Sequence, residues 1–300
     1  MANWKYPLVT FKGMAMGAAD VVPGVSGGTI AFITGIYAEL LDTIKSFDLT
    51  AIRLLFSGKF GQLWRKINGN FLFALLLGIG ISIFSLAKLM TWLLVNQPIA
   101  TWAFFFGLII ASVVLVLRQV TRWNVVSILC LAGGIAAGYL VTAMSPTTTP
   151  DTWWFIMLSG AIAICAMILP GISGSFILLL LGKYKFIMEA VGNFDIPVLL
   201  LFAVGAVAGI ISFSHFLSWM LRSFHNATVA VLAGFMVGSL NRVWPWKEPL
   251  TDSNVLPETY GQLTGSSHLV EAVLCCVAGF LLIWAIDYLS RRIAKTKARA

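Results

Sequence analysis

Six apolar stretches, at roughly 71–95, 100–118, 124–143, 198–222, 227–243 and 268–287, are long enough to cross a bilayer as helices. A water-soluble domain does not accommodate so many. The chain has 300 residues, of which 59% are hydrophobic and 11% charged, too little polar surface to face water on all sides. In hydrocarbon every backbone N–H and C=O must be paired within the chain, which leaves helices or a closed barrel. Runs of ~20 apolar residues select helices. The expected fold class is therefore an all-α polytopic membrane protein.

The formal charge of +8 is read as basic loops on the cytoplasmic side rather than as a nucleic-acid surface. Cys130, Cys165, Cys275 and Cys276 all lie in apolar stretches, where a thiol packs as a small hydrophobe. They form no metal motif or disulfide framework, and no metal or cofactor is expected. The opening MANWKYPLVTFKGMAMG carries no long apolar run and does not read as a cleaved signal peptide.

Two more apolar regions, 7–44 and 154–183, are broken in the middle. ADVVPGVSGGT occupies 19–29 and ILPGISGSF occupies 168–176. Pro23, Gly24, Pro170 and Gly171 end a helix in each, and in the second the arms on either side of Pro170, of about 16 and about 10 residues, fall short of the ~20 needed to cross. Each region is predicted to be a re-entrant hairpin of two half-helices.

The two breaks belong to an internal repeat. Shifted by 147, residues 13–48 fall on 160–195 without a gap, and Gly13, Pro23, Gly24, Ser26, Gly27, Gly35, Tyr37 and Asp48 meet identical residues. Shifted by 127, Gly78, Ser85, Trp92, Thr101, Gly107 and Ser112 meet Gly205, Ser212, Trp219, Thr228, Gly234 and Ser239. The difference between the shifts puts about twenty extra residues at 49–69, a basic stretch that reads as an amphipathic segment on the membrane surface or as an ordinary basic loop. Residues 1–150 form the first repeat and 151–300 the second. Basic residues place 45–69, Arg118, Arg122, Arg222 and the tail inside, with 145–151, 184–197 and 243–267 outside. Each repeat then has one hairpin plus three spans. Three is odd, so the second repeat is inverted and both termini are cytoplasmic.

Irregular backbone survives in a membrane only where protein buries it or it lines a polar cavity. Inverted repeats with broken helices near the midplane are a recurrent transporter plan. Ser26 and Ser173 are good N-caps, and Gly27, Gly28 and Gly174 let backbone approach a ligand. A helix N-terminus favours anions, phosphate above all. Ser26, Gly27, Gly28 and Thr29, with Ser173, Gly174 and Ser175, are thus expected to build the two halves of one anion site. Arg118 and Arg242 are candidates for handling phosphate at opposite faces, or interface anchors. Lys88 and His215 occupy equivalent positions in the repeat and, with Asp20, are candidates for coupling; snorkelling for Lys88 and local backbone capping for Asp20 are the alternatives. The Gly-Leu-Ile-Ile-Ala-Ser and Gly-Phe-Met-Val-Gly-Ser stretches at 107–112 and 234–239 are read as helix-packing seams.

The residues leave two classes of function open: a transporter or channel for an anion, and an intramembrane serine protease of rhomboid type. The last would use the Gly-x-Ser-Gly pattern with His215 or His225. Duplication of the serine argues against it, since an enzyme needs one nucleophile and the repeat equivalent of His215 is Lys88.

GAADVVPGVSGGTIAFITGIYAELL, LPGISGSFILLLLGKY and GFMVGSLNRVWPW together resemble a bacterial membrane-protein family long left uncharacterised and now associated with polyprenyl-phosphate transport. The resemblance covers nearly the whole chain. It implies a non-enzymatic flippase that recycles undecaprenyl phosphate, the lipid carrier of cell-envelope synthesis, from the outer to the inner leaflet of the cytoplasmic membrane. The polyprenyl phosphate and the surrounding phospholipids would be its partners. Ser175 and Phe176 stand where the first motif has Gly28 and Thr29, so the half-sites differ chemically.

Overall fold

The computed structural model describes residues 6–20 and 26–299, with residues 87 and 289–299 described by backbone alone. Pro23 and Gly24, two of the expected helix-break residues, lie outside the described residues. Within them the chain is helical, with one isolated bridge between Lys247 and Asn254.

In chain order, α1 (Tyr6–Asp20), α2 (Gly27–Ile33) and α3 (Tyr37–Lys45) form the first interrupted region. The short α4 (Leu49–Phe56) and α5 (Phe60–Lys66) follow, then the long α6 (Gly69–Asn96), α7 (Pro98–Leu117) and α8 (Val125–Ala143). The second interrupted region forms α9 (Trp153–Ile168) and α10 (Gly174–Leu180), with α11 (Tyr184–Gly192) just after it. After it come α12 (Ile196–Ser223), α13 (His225–Ser239), the short α14 (Pro257–Thr264) and α15 (Leu269–Arg299). Local chemistry sets several starts. Pro98 opens α7, where its missing N–H costs nothing, and Asn124 caps α8 by accepting from Ser127 N at 2.8 Å.

Among the described residues five helices, α6, α7, α8, α12 and α15, are long and apolar enough to cross a membrane. The sixth span expected, over 227–243, is shorter than the sequence implied. α13 stops at Ser239, and its 15 residues cover ~22 Å against a ~30 Å hydrocarbon core. Hydrogen-bonded turns follow it, and Pro245 rules out helix beyond. The chain then folds back, packing Trp246 with Ile99, Ala103 and Ala272. A second correction concerns the interrupted regions. The first, 7–44, is three helices rather than two, because the amphipathic α3 follows α2 after a tight turn; 154–183 holds α9 and α10, and the equivalent α11 follows α10 after a like turn, within 184–197. Gly35 (φ +73°) and Gly182 (φ +65°) make those turns in a left-handed conformation that other residues adopt at a cost.

Helix bounds recur at the shifts read from the sequence. Moving α2 and α3 by 147 residues gives the bounds of α10 and α11, and moving α6 by 127 gives those of α12. Packing recurs as well. α1 lies along α6 as α9 lies along α12, and α7 lies along α15 as α13 lies along α8. Gly107 and Gly234 make the last two contacts close: an added Cβ would stand 1.9 Å from the Cys276 carbonyl oxygen and 2.4 Å from that of Leu131. These seams are the small-residue packing the sequence implied. α4 and α5, between the two shifts, expose Phe56, Phe60 and Trp64 beside Arg53, Lys59, Arg65 and Lys66.

Candidate functional site

The two broken motifs meet. Ser26 has extended backbone and caps α2, its Oγ accepting from Gly28 N at 3.1 Å. The same hydroxyl donates to the carbonyl of Met167 at 3.0 Å, 141 residues away. Tyr37 OH donates to the next carbonyl, Ile168, at 3.0 Å. Met167 and Ile168 close α9, where the last carbonyls have no partner along the helix, so the first motif caps the helix that leads into the second. Thr29 Oγ1 completes the contact by accepting from Gly171 N at 3.1 Å. Ser26 and Thr29 are buried, and Gly28 presses so close that an added Cβ would stand 2.4 Å from the Ile168 carbonyl oxygen.

The second motif has its own cap. Ser173 Oγ accepts from Phe176 N at 3.2 Å and lies 3.2 Å from Ser175 Oγ. At the first motif the α2 N–H groups are engaged within the chain. Gly27 N donates to Asp20 Oδ1 at 2.7 Å, Gly28 N to Ser26 Oγ, and Thr29 N to Ser26 O at 3.0 Å. Asp20 therefore caps local backbone, and its carboxylate stands where an external anion would meet α2.

The other sequence candidates scatter. Arg242, just past α13, lies over the Phe176 ring of α10 at 5.2 Å, which places it next to the second motif. It donates to Asp252 Oδ2 at 3.0 Å while its Nε is buried without a partner. Lys247 shares Asp252 at 3.6 Å, and burial together with the Arg242 charge pulls its pKa below the ordinary lysine value, against the pull of Asp252. Arg118 is exposed and lies over Trp284 of α15 at 4.9 Å. Lys88 is exposed on α6. His215 is exposed on α12, its Nδ1 2.9 Å from the Ile211 carbonyl one turn back. The structure thus brings Ser26–Thr29, Gly171 and Arg242 towards one locality and leaves Lys88, His215 and Arg118 on outer faces.

Three residues were passed over in the sequence. Tyr37 was visible only as a repeat identity. Lys12, buried in α1, donates to the Thr34 carbonyl at the end of α2 at 2.6 Å. Lys183, buried after Gly182, donates to the Thr149 carbonyl at 2.8 Å and pairs with Asp151. A lysine inside an apolar run is a signal in itself, since such a charge persists only with partners.

Fold and site together define a multi-pass helical membrane protein built around two broken-helix motifs that close on each other. Residues 16–256 match the VCA0040-like family, described as undecaprenyl phosphate translocase-like, and the chain belongs to that family. It is 45% identical over 290 residues to a polyprenyl-phosphate transporter of Vibrio cholerae, covering 92% of this chain and 94% of the relative. It is 36% identical over 252 residues to a polyprenyl-phosphate transporter of Staphylococcus aureus, covering 78% of this chain and 84% of that one. No solved structure matches the chain.

Proposed function

We propose that this protein is a transporter that carries undecaprenyl phosphate, or a close polyprenyl phosphate, from the outer to the inner leaflet of the bacterial cytoplasmic membrane. The observation that carries the reading is the tip-to-tip contact of two motifs from different halves of the chain, 147 positions apart. A lipid phosphate has an anionic head that needs a polar path and an apolar tail that can stay in lipid. The names of the relatives supply the lipid identity.

In this reading 1–150 and 151–300 are inverted repeats, and the two motif regions are re-entrant, entering and leaving on one side. The recurring helix bounds and recurring helix pairs support it. Both termini lie in the cytoplasm. The phosphate passes between Ser26–Thr29 and Ser173–Ser175, replacing the bonds by which the motifs hold each other and exchanging with Asp20 at Gly27 N. Arg242, with Lys247 beside it, meets the phosphate on the outer side. The fork of an arginine suits phosphate oxygens better than a point charge does.

The test is reconstitution. Vesicles loaded with undecaprenyl phosphate in the outer leaflet should lose it to the inner leaflet only when the protein is present, while trapped inorganic phosphate and sulfate stay inside. Release of the soluble anions without lipid movement would favour an anion channel. Covalent labelling of Ser26 or Ser173 by a fluorophosphonate, abolished by mutating His215, would favour the protease.

A further inference from the structure

A cavity of about 360 Å³ opens between α2, α3 and the far end of α12. It is separate from the motif contact but joined to it by Tyr37, which lines the cavity and holds the Ile168 carbonyl. Its walls have two characters. Phe32, Leu41 and Leu221 make one side apolar, while Asp42, Ser218 and Arg222 make the other polar. Asp42 Oδ1 alone takes two cations, Lys45 Nζ at 2.8 Å and Arg222 Nη2 at 3.0 Å. Lys45 is further held by Ser218 Oγ at 2.8 Å. One carboxylate oxygen thus keeps an ammonium and a guanidinium together at the mouth of a cavity with greasy walls, a pair that would otherwise repel.

The end of the bundle matters. Arg222 closes α12 and Arg242 follows α13, the next helix, so the two arginines stand at opposite ends of α13. Asp42 lies on α3, seven residues before the chain enters the basic 49–69 segment. At Arg242 the same device appears, with Asp252 holding Arg242 and Lys247. Each end of the bundle therefore has a carboxylate bridging two cations. The sequence reading gave the inner role to Arg118, but that side chain lies over Trp284, and the cavity is lined by its neighbour Gln119 instead.

We infer that this cavity is a second headgroup site, for a prenyl-lipid phosphate monoester, at the end of the bundle opposite Arg242. Arg222 and Lys45 hold the phosphate, and Phe32, Leu41 and Leu221 take the first prenyl units. Asp42 is the internal anion that an arriving phosphate competes with, so it sets how readily the site lets go. The volume falls in the ~300–1,000 Å³ range of small-ligand sites. The inference rests on the transporter reading and deepens it by assigning a discharge point.

The test uses Ala38, an exposed residue of the cavity wall. Ala38→Cys is placed in a variant with Cys130, Cys165, Cys275 and Cys276 replaced by alanine, kept only if its lipid transport matches that of the unaltered protein. Its maleimide labelling rate is measured in detergent with farnesyl phosphate, farnesol or inorganic phosphate. Farnesyl phosphate should slow labelling, and farnesol should not. Arg222→Gln and Lys45→Gln should each raise the half-protecting concentration about tenfold, as expected for a lost charged hydrogen bond. Asp42→Asn should lower it. The Arg222 side chain is 69% exposed, so its replacement leaves little to unfold. Intact transport with no protection at Ala38 overturns this site and leaves the transporter standing. Protection by inorganic phosphate at the same concentrations overturns the lipid assignment. Protection unchanged by both glutamine variants overturns the assigned cations. Protection by farnesyl phosphate in a protein that moves no lipid phosphate keeps the site and sinks the transporter.

Discussion

Ser26→Ala removes one oxygen and breaks two bonds. The Ser26 hydroxyl is fully buried, accepts from Gly28 N at 3.1 Å and donates to Met167 O at 3.0 Å. Losing the cap costs ~1 kcal/mol. Losing the bond to a carbonyl that closes α9 costs about another 1 kcal/mol, because that carbonyl has no helical donor to fall back on. The expected loss is therefore about 2 kcal/mol, a melting temperature lower by roughly 4–8 °C in a chain of this size. Ser159→Ala is the control. That hydroxyl is also fully buried, but it donates to Ile156 O at 2.8 Å within α9, and its loss orphans nothing across the fold. Its cost should stay within ~0.5 kcal/mol. The assay is thermal unfolding of both variants in one detergent, followed by intrinsic tryptophan fluorescence. Equal shifts for the two would refute the reasoning, since they would show that the cross-motif bond adds nothing beyond an ordinary buried serine.

Three further outcomes follow from the same geometry. Gly28→Ala puts a methyl 2.4 Å from a backbone oxygen that cannot rotate away, and the overpacking should cost ~1–3 kcal/mol, read as a lower folded fraction by size-exclusion chromatography. Arg242→Gln should slow removal of outer-leaflet lipid phosphate about tenfold, with Arg242→Lys restoring only part of the rate; wild-type rates in both would make Arg242 an anchor. Single cysteines at 145–151 or 184–197 of a cysteine-free variant should react with an impermeant thiol reagent from outside and those at 49–69 should not, and the reverse pattern would rule out the inverted arrangement.

What could be read without coordinates was whatever leaves a periodic or local trace. The two shifts, 147 and 127, came from ungapped identities, and the bounds of α10, α11 and α12 repeat at those distances; Ser26 and Ser173 start α2 and α10, and Gly35 and Gly182 make the turns after them. The short α13 was legible in principle. Pro245 stands six residues beyond where the helix stops, but apolarity up to Val243 hid it. The contacts at the heart of the site left no trace of that kind. Ser26 to Met167, Tyr37 to Ile168 and Thr29 to Gly171 join residues 141, 131 and 142 apart, and nothing in one sequence says which carbonyl a hydroxyl will find. The same holds for Arg222 and Asp42, 180 residues apart. Arg118 shows the converse: its place at a span end is plain in the sequence, while the Trp284 ring beneath it is a property of the fold.

The central claim is that a lipid phosphate passes between the two motifs, and the most direct measurement is an electron cryomicroscopy data set of the protein in nanodiscs containing undecaprenyl phosphate. The account predicts at least one class with phosphate density between Ser26–Thr29 and Ser173–Ser175, and with the Ser26–Met167 or Thr29–Gly171 bond opened to admit it. Lipid-bound classes that all keep both bonds closed, with no phosphate between the motifs, would contradict it.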